Sequence, residues 1–363
     1  MSAPTGKATA RLKEALNDKK NISFSKFLDQ IEFQTLHRWI LNSQNKSLKL
    51  KFKLKELDIF IIDEMSMVNI DLIESVLNLL AKDCKIILVG DKNQLSPVNN
   101  CSIWNYLFEY SDNSSIKSCV VNLEKTYRNI GDIALISSLI FNNDFSLLNQ
   151  KIKELEKDNN SKEITISKSR EKDIPKDLLF SITSHLKQLN ISTSNLSKKK
   201  YIFDESIDNL LLNEKDLVDK IFLDLQSHLI LCEKNSGIWS VEYLNEIVFG
   251  QKKPYDLKTL KEGVPIMCTK NNNELGLSNG DIGVLIGLKN KRKYLFRKFN
   301  DNNEEIVALI DPSNLENVVP AIAITIHKSQ GSESEKVSIL WSQKYRRNQY
   351  ALKGKKDSEN IFC

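Results

Sequence analysis

Two short apolar runs, each ending in acidic residues, constrain this chain more than any other feature. Ile59-Phe60-Ile61-Ile62 leads into Asp63-Glu64, and the run at 85–89 is closed by Gly90-Asp91. Between them Leu72, Ile73, Val76, Leu77 and Leu80 recur at helical spacing. Strand, helix and strand with short joins predict two buried, neighbouring parallel strands connected by a crossover helix. Asp91 stands 28 residues after Asp63, about one such unit. Both acidic loops are therefore expected at the same carboxyl edge of a sheet, where open α/β sheets bind their ligands.

The residue types at that edge suit nucleotide hydrolysis. There a first carboxylate holds Mg²⁺, usually through water, and a second polarises the attacking water. Asp63 and Glu64 fit these two positions in that order. Gln94, in Gly90-Asp91-Lys92-Asn93-Gln94-Leu95, carries an amide that both donates and accepts, so it suits a γ-phosphate or its attacking water. Read singly, the first pattern also suits an acidic strand-to-loop junction and the second a tight Gly-Asp turn. Their joint spacing favours the site.

Composition bounds the alternatives. A chain of 363 residues predicts two or three domains, and 41% hydrophobic with 27% charged residues describes a core-forming protein. No apolar run approaches the roughly 18–20 residues of a membrane span, and no signal-peptide core follows Met1. The formal charge of +5 is concentrated at 342–363, where six basic and two acidic residues stand. The total is therefore weak evidence for a polyanionic partner. Cys84, Cys101, Cys119, Cys232, Cys268 and Cys363 form no Cys-x-x-Cys pair and flank no His cluster, which suits buried thiols in a reducing cytoplasm.

Along the rest of the chain, 9–16 has helical spacing. The segment 150–169 is polar and reads as a surface helix and loop between domains, and 192–200 is a second polar, Ser- and Lys-rich stretch. Residues 227–233 read as a strand and 241–248 as a helix. Gly276, Gly280, Gly283 and Gly287 punctuate β segments at 265–269, 282–286, 293–299 and 305–310, which predicts a small antiparallel barrel or meander. An apolar strand at 321–326 then enters His327-Lys328-Ser329-Gln330-Gly331. Trp39, Trp104, Trp239 and Trp341 are expected in the core rather than as stacking platforms for bases, and His185 and His228 belong to no motif.

The ordered motifs carry a family resemblance. Asp63-Glu64-Met65-Ser66-Met67 and Gly90-Asp91-Lys92-Asn93-Gln94-Leu95 resemble motifs II and III of superfamily-one helicases. Ala3-Pro4-Thr5-Gly6-Lys7-Ala8 with Arg11-Leu12 resembles motif Ia of the RecD group, the alpha subunit of exodeoxyribonuclease V. Thr35-Leu36-His37-Arg38 matches the next short motif, and Leu123-Glu124-Lys125-Thr126-Tyr127-Arg128 is similar to motif IV. Gly276-Leu277-Ser278-Asn279-Gly280-Asp281-Ile282-Gly283 and Thr325-Ile326-His327-Lys328-Ser329-Gln330-Gly331-Ser332-Glu333 match two later family segments, the second being motif V.

The resemblance implies an α/β fold of two RecA-like P-loop NTPase-type domains, with a small SH3-like β insertion in the second. It divides the chain at 1–135 for the first, N-terminally truncated domain and 136–262 for the start of the second, with a charged linker near 150–170. The insertion is expected at 263–320, a return to the second domain at 321–341 and a divergent basic tail at 342–363. ATP and Mg²⁺ are the implied cofactors. Asp63, Glu64, Gln94 and Arg128 are implied at the catalytic centre, Asp63 holding the metal through water and Gln94 and Arg128 reaching the γ-phosphate. Pro4, Thr5, Lys7, Arg11, Thr35, His37, Thr325, His327, Lys328 and Ser329 are implied contacts to single-stranded DNA. The resemblance also implies five-prime-to-three-prime translocation in the cytoplasm, with RecB and RecC subunits as partners in double-strand break repair.

The chain departs from the family at both ends. A P-loop needs Gly-x-x-x-x-Gly-Lys followed by Ser or Thr, yet Lys7 is followed by Ala8, six residues before Lys7 there is only Met1, and no other Gly-Lys-Ser or Gly-Lys-Thr occurs. Beyond 340 the family continues to a motif VI Arg. Here Arg346 and Arg347 stand in a segment that reads better as unrelated to that motif. The expectation is a family fragment whose hydrolysis is impaired, with a remnant that at most binds single-stranded DNA or a partner subunit as the alternative.

Overall fold

The structure is a computed structural model that describes residues 1–17, 30–44, 54–91, 93–95, 103–111, 117–123, 131–157, 163–170, 173–199, 203, 207–272, 274–287, 291–299, 305–341 and 361–362. The chain forms two compact units, Met1–Thr126 and Tyr127–Asn300 with Glu305–Cys363. Each carries a parallel sheet, so the α/β expectation holds.

The first unit runs β1 (Ser2–Ala3), α1 (Gly6–Asn17), β2 (Gln34–Thr35), α2 (Leu36–Gln44), β3 (Ile59–Ile62), α3 (Ile70–Leu77), β4 (Lys85–Leu88) and α4 (Ile103–Ser111). Its four strands are all parallel, in the order β2-β1-β3-β4. The crossover between β3 and β4 is α3, as its spacing predicts. Its N-cap is Asn69, whose side chain accepts from Leu72 N at 2.9 Å, an arrangement worth about 1 kcal/mol. Phe60 and Ile62 of β3 are fully buried under Leu36, Trp39, Ile73, Val76 and Trp104.

One expectation fails here. Residues 59–62 and 85–89 were both expected to be buried strands, but Ile59, Ile86, Ile87 and Val89 are 52%, 39%, 46% and 40% exposed. The reason is position. Among the described residues β4 is the edge strand of the sheet, and the core cluster gathers on the Phe60 and Ile62 side of β3. Parallel strands are normally covered on both faces, and hydropathy cannot tell an edge strand from a central one.

The second unit runs α5 (Gly131–Phe141), α6 (Phe145–Lys157), β5 (Ser167–Lys168), α7 (Lys176–Ser197), α8 (Ile207–Ser227), β6 (His228–Cys232), α9 (Val241–Phe249), β7 (Pro265–Cys268), β8 (Ile282–Ile286), β9 (Lys293–Phe299), β10 (Glu305–Ile310), β11 (Val318–Pro320), β12 (Ile324–Thr325), β13 (Lys336–Leu340) and β14 (Ile361–Phe362). β12, β6 and β13 form the parallel heart of one sheet, which β14 and β5 extend in antiparallel fashion. The other sheet, β10-β9-β8-β7-β11, is antiparallel throughout. α7 and α9 cover the parallel strands through Leu178, Ile182 and Leu244. Leu196, Val218, Ile221 and Phe222 of α7 and α8 pack on Val284, Ile286, Leu295 and Val307 of the antiparallel sheet.

The polar stretch at 192–200 is, through Ser197, the last part of the 22-residue helix α7. Its hydroxyls bond inward: Ser192 to Asp224, and Ser194 (3.2 Å) and Ser197 to Glu262. Serine is a poor helix former only while it competes for local backbone groups, and here distant carboxylates occupy it. The segment expected to be a strand at 321–326 is a strand only at Ile324–Thr325. The segment 150–169 contributes helix α6, with Leu155 buried. Trp39, Trp104 and Trp239 lie in the core as expected, but Trp341 is 36% exposed. Cys232 and Cys268 are buried, Cys84 is half-buried and Cys119 is exposed. Burial pushes the Cys232 thiol up to about 12. Cys101 and Cys363 lie outside the described residues.

Candidate functional site

The carboxyl edge of the first sheet is built by four consecutive strand ends. β3 stops at Ile62, and Asp63 N still donates to Ser2 O of β1 at 2.9 Å. The chain then turns sharply. Glu64 lies in the left-handed region at φ 55°, a conformation that costs a non-glycine residue on the order of 1 kcal/mol. Glu64 N donates to Asp63 Oδ1 at 2.8 Å, which folds the Asp63 carboxylate over the turn. A 3-10 turn, Met65–Met67, follows with Met65 and Ser66 buried. Met65 N donates to Val89 O at 3.0 Å, fixing this turn against the end of β4.

Gly90 sits at that junction because a Cβ there would stand 3.1 Å from Met65 Cβ, Met65 N and Trp104. Beyond it Asp91 organises its own loop: Asp91 Oδ1 accepts from Asn93 N at 2.9 Å and Asp91 O from Gln94 N at 3.3 Å. Gln94 is exposed, and its Oε1 accepts from Ser66 Oγ at 3.3 Å. Asp63, Glu64 and Gln94 are thus brought together on two adjacent strand ends, as their spacing predicts. Arg128 lies outside the described residues.

The other two strand ends carry helix starts. Thr5 follows β1 and caps α1, its Oγ1 accepting from Ala8 N at 3.2 Å. Thr35 ends β2 and caps α2, its Oγ1 accepting from Arg38 N at 3.3 Å. Ala3 pairs with Thr35 across the parallel ladder, so the two caps are neighbours. Pro4 precedes the first cap, Lys7 falls in the first turn of α1 with Arg11 one turn on, and His37 is exposed at the start of α2. Helix N-termini present backbone N–H groups and a partial positive charge, a natural seat for phosphate.

The sheet order places these groups in a row. Across β2-β1-β3-β4 the edge reads Thr35 and His37, then Thr5 and Lys7, then Asp63 and Glu64, then Asp91 and Gln94. At about 4.8 Å per strand the row spans roughly 15 Å. A Mg²⁺ site of one carboxylate completed by phosphate oxygens and water fits the oxygen-only chemistry of Asp63.

In the second unit, Thr325 ends β12, pairs with Cys232 of β6 and is buried. The 3-10 turn Ile326–Ser329 follows. Ser329 turns its hydroxyl inward to Ile326 O at 2.7 Å, whereas His327 and Lys328 face outward. Lys328 Nζ lies 3.8 Å from Met267 Sδ. Although the residue is exposed, partial desolvation of its ammonium, and secondarily the charge of Lys253, hold it below the ordinary lysine value. Arg346 and Arg347 lie outside the described residues.

Sequence reasoning assigned no role to Ser66 and did not see that Thr5 and Thr35 are caps. For the threonines the signal was available, since each stands directly before a helical run. For Ser66 there was none, because its partner is 28 residues away.

A family model described as an AAA domain matches residues 1–100. The RecBCD enzyme subunit RecD of Buchnera aphidicola subsp. Schizaphis graminum is 31% identical over 388 aligned residues, covering 95% of this chain and 60% of that protein. The subunit RecD of Haemophilus influenzae is 27% identical, covering 91% of this chain and 55% of its own length. The chain thus spans somewhat over half the length of the curated relatives it matches. Among solved structures, a Bacteroides Pif1 helicase bound to ADP-AlF3 and single-stranded DNA aligns at 18% identity and TM-score 0.39, covering 94% of this chain and 82% of that one.

Proposed function

We propose that this chain, a relative of RecD subunits along nearly its whole length, is the motor portion of an ATP-dependent DNA translocase working five-prime to three-prime. It would act with RecB and RecC subunits on single-stranded DNA in cytoplasmic double-strand break repair. The observation that carries the reading is the order of groups along one sheet edge. The half formed by β2 and β1 offers two capped helix starts with Lys7, Arg11 and His37. These suit the phosphates that take half or more of protein–DNA hydrogen bonds. The half formed by β3 and β4 offers acidic groups and an amide, which suit a metal–nucleotide complex.

In this reading Asp63 holds Mg²⁺ through water, and Glu64 accepts a proton from the attacking water. Gln94 and Arg128 contact the γ-phosphate. Mg²⁺, when bound, neutralises charge on the transferring phosphoryl group. The Glu64 backbone is set by its left-handed conformation, and its N–H bond to Asp63 Oδ1 holds the Asp63 carboxylate against it. In the second unit Thr325, His327, Lys328 and Ser329 contact the strand.

One sequence fact favours a second reading for these 363 residues taken alone: no Gly-Lys-Thr or Gly-Lys-Ser occurs in them. A phosphate cradle supplies several preorganised donors, and losing one such donor costs about 3–4 kcal/mol of barrier. These residues by themselves would then bind single-stranded DNA or a partner subunit without hydrolysing ATP.

The test is ATP hydrolysis by the purified chain with and without single-stranded DNA, beside binding of a labelled oligonucleotide at low and moderate salt. Salt-sensitive binding without hydrolysis is expected. Hydrolysis abolished by Glu64→Gln would overturn this second reading in favour of the first. No binding even at low salt would overturn the DNA assignment.

A further inference from the structure

Four lysines of the second unit stand around one buried carboxylate, outside every motif already assigned. Glu262 accepts from Ser197 Oγ at the end of α7 and from Gly287 N, just after β8, at 2.9 Å. Arg292, just before β9, donates from Nη1 to Leu257 O at 2.6 Å. These bonds draw together the end of α7, the loop 256–262 and the turn between β8 and β9. Each lysine is the immediate neighbour of a bonded residue: Lys198 of Ser197, Lys258 of Leu257, Lys261 of Glu262 and Lys291 of Arg292. The bonded residues are buried or half-buried, and the four lysines are exposed.

The charge of this group is left uncompensated. Among the described residues no carboxylate pairs with any of the four, whereas the adjacent Lys199 and Lys293 are paired with Glu214 at 3.4 Å and Asp311 at 2.8 Å. Asp256 is exposed nearby, and its Oδ1 accepts from Lys258 N at 3.0 Å. Lys198, the C-cap of α7, also suits the negative end of that helix. The other three close no helix. Gathered like charges work against the compact state and create a positive field that an anionic partner relieves.

We propose that this surface docks the phosphate backbone of duplex DNA, separately from the single-strand contacts above. Lysine meets phosphate as a point charge, and phosphate contacts carry no sequence information. A single-strand site adds aromatic faces on which bases stack. Here the aromatic rings serve the core: Tyr294 and Phe296 of β9 are 3% and 0% exposed, and Phe203 packs against Val284, Leu295 and their neighbours. A duplex keeps its bases stacked inside and presents rows of phosphates outside, which suits lysines without an exposed ring. The surface needs no nucleotide, so it stands or falls independently of the sheet edge in the first unit.

The test compares the full chain with the triple variant Lys258→Glu, Lys261→Glu and Lys291→Glu. A control with the same change of charge is Lys153→Glu, Lys157→Glu and Lys176→Glu, at exposed positions of α6 and α7 away from the surface. Fluorescence anisotropy follows a short blunt duplex of mixed sequence and, separately, one of its strands, over a range of salt. The surface variant is expected to lose duplex affinity by about tenfold or more at low salt. Each lost phosphate contact flattens the plot of log affinity against log salt by about 0.9, so its slope should fall by about two to three. Single-strand affinity and the control's duplex affinity should stay within about twofold of wild type.

Thermal melting checks the fold of each variant. Lys→Gln at the same three positions replaces a reversal variant that does not fold, with a loss of about threefold or more expected. Unchanged duplex affinity, an equal loss in the control, or a wild-type chain that ignores duplex at low salt overturns the proposal. An equal loss on the single strand overturns the duplex assignment. Displacement of the duplex by polyglutamate at matched charge overturns it in favour of an acidic polypeptide.

Discussion

Met65 donates its backbone N–H to the carbonyl of Val89 at 3.0 Å, and this bond ties the acidic turn after β3 to the end of β4. A Cβ at Gly90 would stand 3.1 Å from Met65 Cβ and N and from the Trp104 side chain, closer than nearly all such contacts. Met65 is fully buried and Trp104 7% exposed, so neither has open space to retreat into. Gly90→Ala is expected to lower stability by about 1–3 kcal/mol, as overpacking does, and thermal denaturation reads the effect.

The caps at Thr5 and Thr35 separate stability from binding. Either residue changed to Ala loses its bond to Ala8 N or Arg38 N, with an expected cost of about 1 kcal/mol each. Changed to Asp, each keeps a capping oxygen but places a negative charge on the proposed phosphate track. Melting temperature should then be retained while affinity for a single-stranded oligonucleotide falls at least several-fold at low salt. Unchanged affinity in Thr5→Asp would remove Thr5 from the track.

The second unit should lose stability in mild acid. His185 and His228 meet edge to face, ring centroids 5.6 Å apart, and His228 Nε2 hydrogen-bonds with Ser338 Oγ at 2.9 Å. Burial lowers both to about 4, with His185 and Lys336 adding to the effect on His228 and Asp224 opposing it on His185. Free histidine titrates near 6.5, so between these values the unfolded chain binds protons that the folded chain does not. Stability is full above about pH 6.5 and declines as pH falls toward 4, by up to about 3 kcal/mol per histidine at roughly 1.4 kcal/mol per pH unit. Urea unfolding followed across this range should show the slope, and His228→Gln should flatten it.

Glu262 joins three elements of the second unit. It is 4% exposed and accepts from Ser194 Oγ at 3.2 Å, from Ser197 Oγ and from Gly287 N at 2.9 Å, while its carbonyl accepts from Asn190 Nδ2 at 2.8 Å. Glu262→Ala strands the Ser194, Ser197 and Gly287 donors at about 1–3 kcal/mol each when they stay buried, while the Asn190 bond to the main chain remains. A loss of about 3 kcal/mol or more in denaturant unfolding is expected, and Glu262→Gln should lose clearly less.

The uncovered face of β4 makes the opposite prediction. Ile87 is 46% exposed, so Ile87→Lys should change stability by no more than about 0.5 kcal/mol. Phe60→Ala, one strand away and fully buried, should cost about 3–5 kcal/mol.

The sequence alone determined the local chemistry of this protein. Apolar runs marked β3, β4, β6 and the four strands β7–β10, and helical spacing marked α1, α3 and α9, because these periods are written in consecutive residues. The interval from Asp63 to Asp91 placed two acidic loops on one edge, because one crossover unit has a nearly fixed length. Tertiary structure decided the rest. The order β2-β1-β3-β4 set the helix caps on one half of the edge and the acidic groups on the other. The exposure of Ile87, the helix at 192–197 and the hydrogen bond from Ser66 to Gln94 also came from the fold. Each depends on a partner tens of residues away or on whether a face is covered, and neither leaves a trace in the local pattern of side chains.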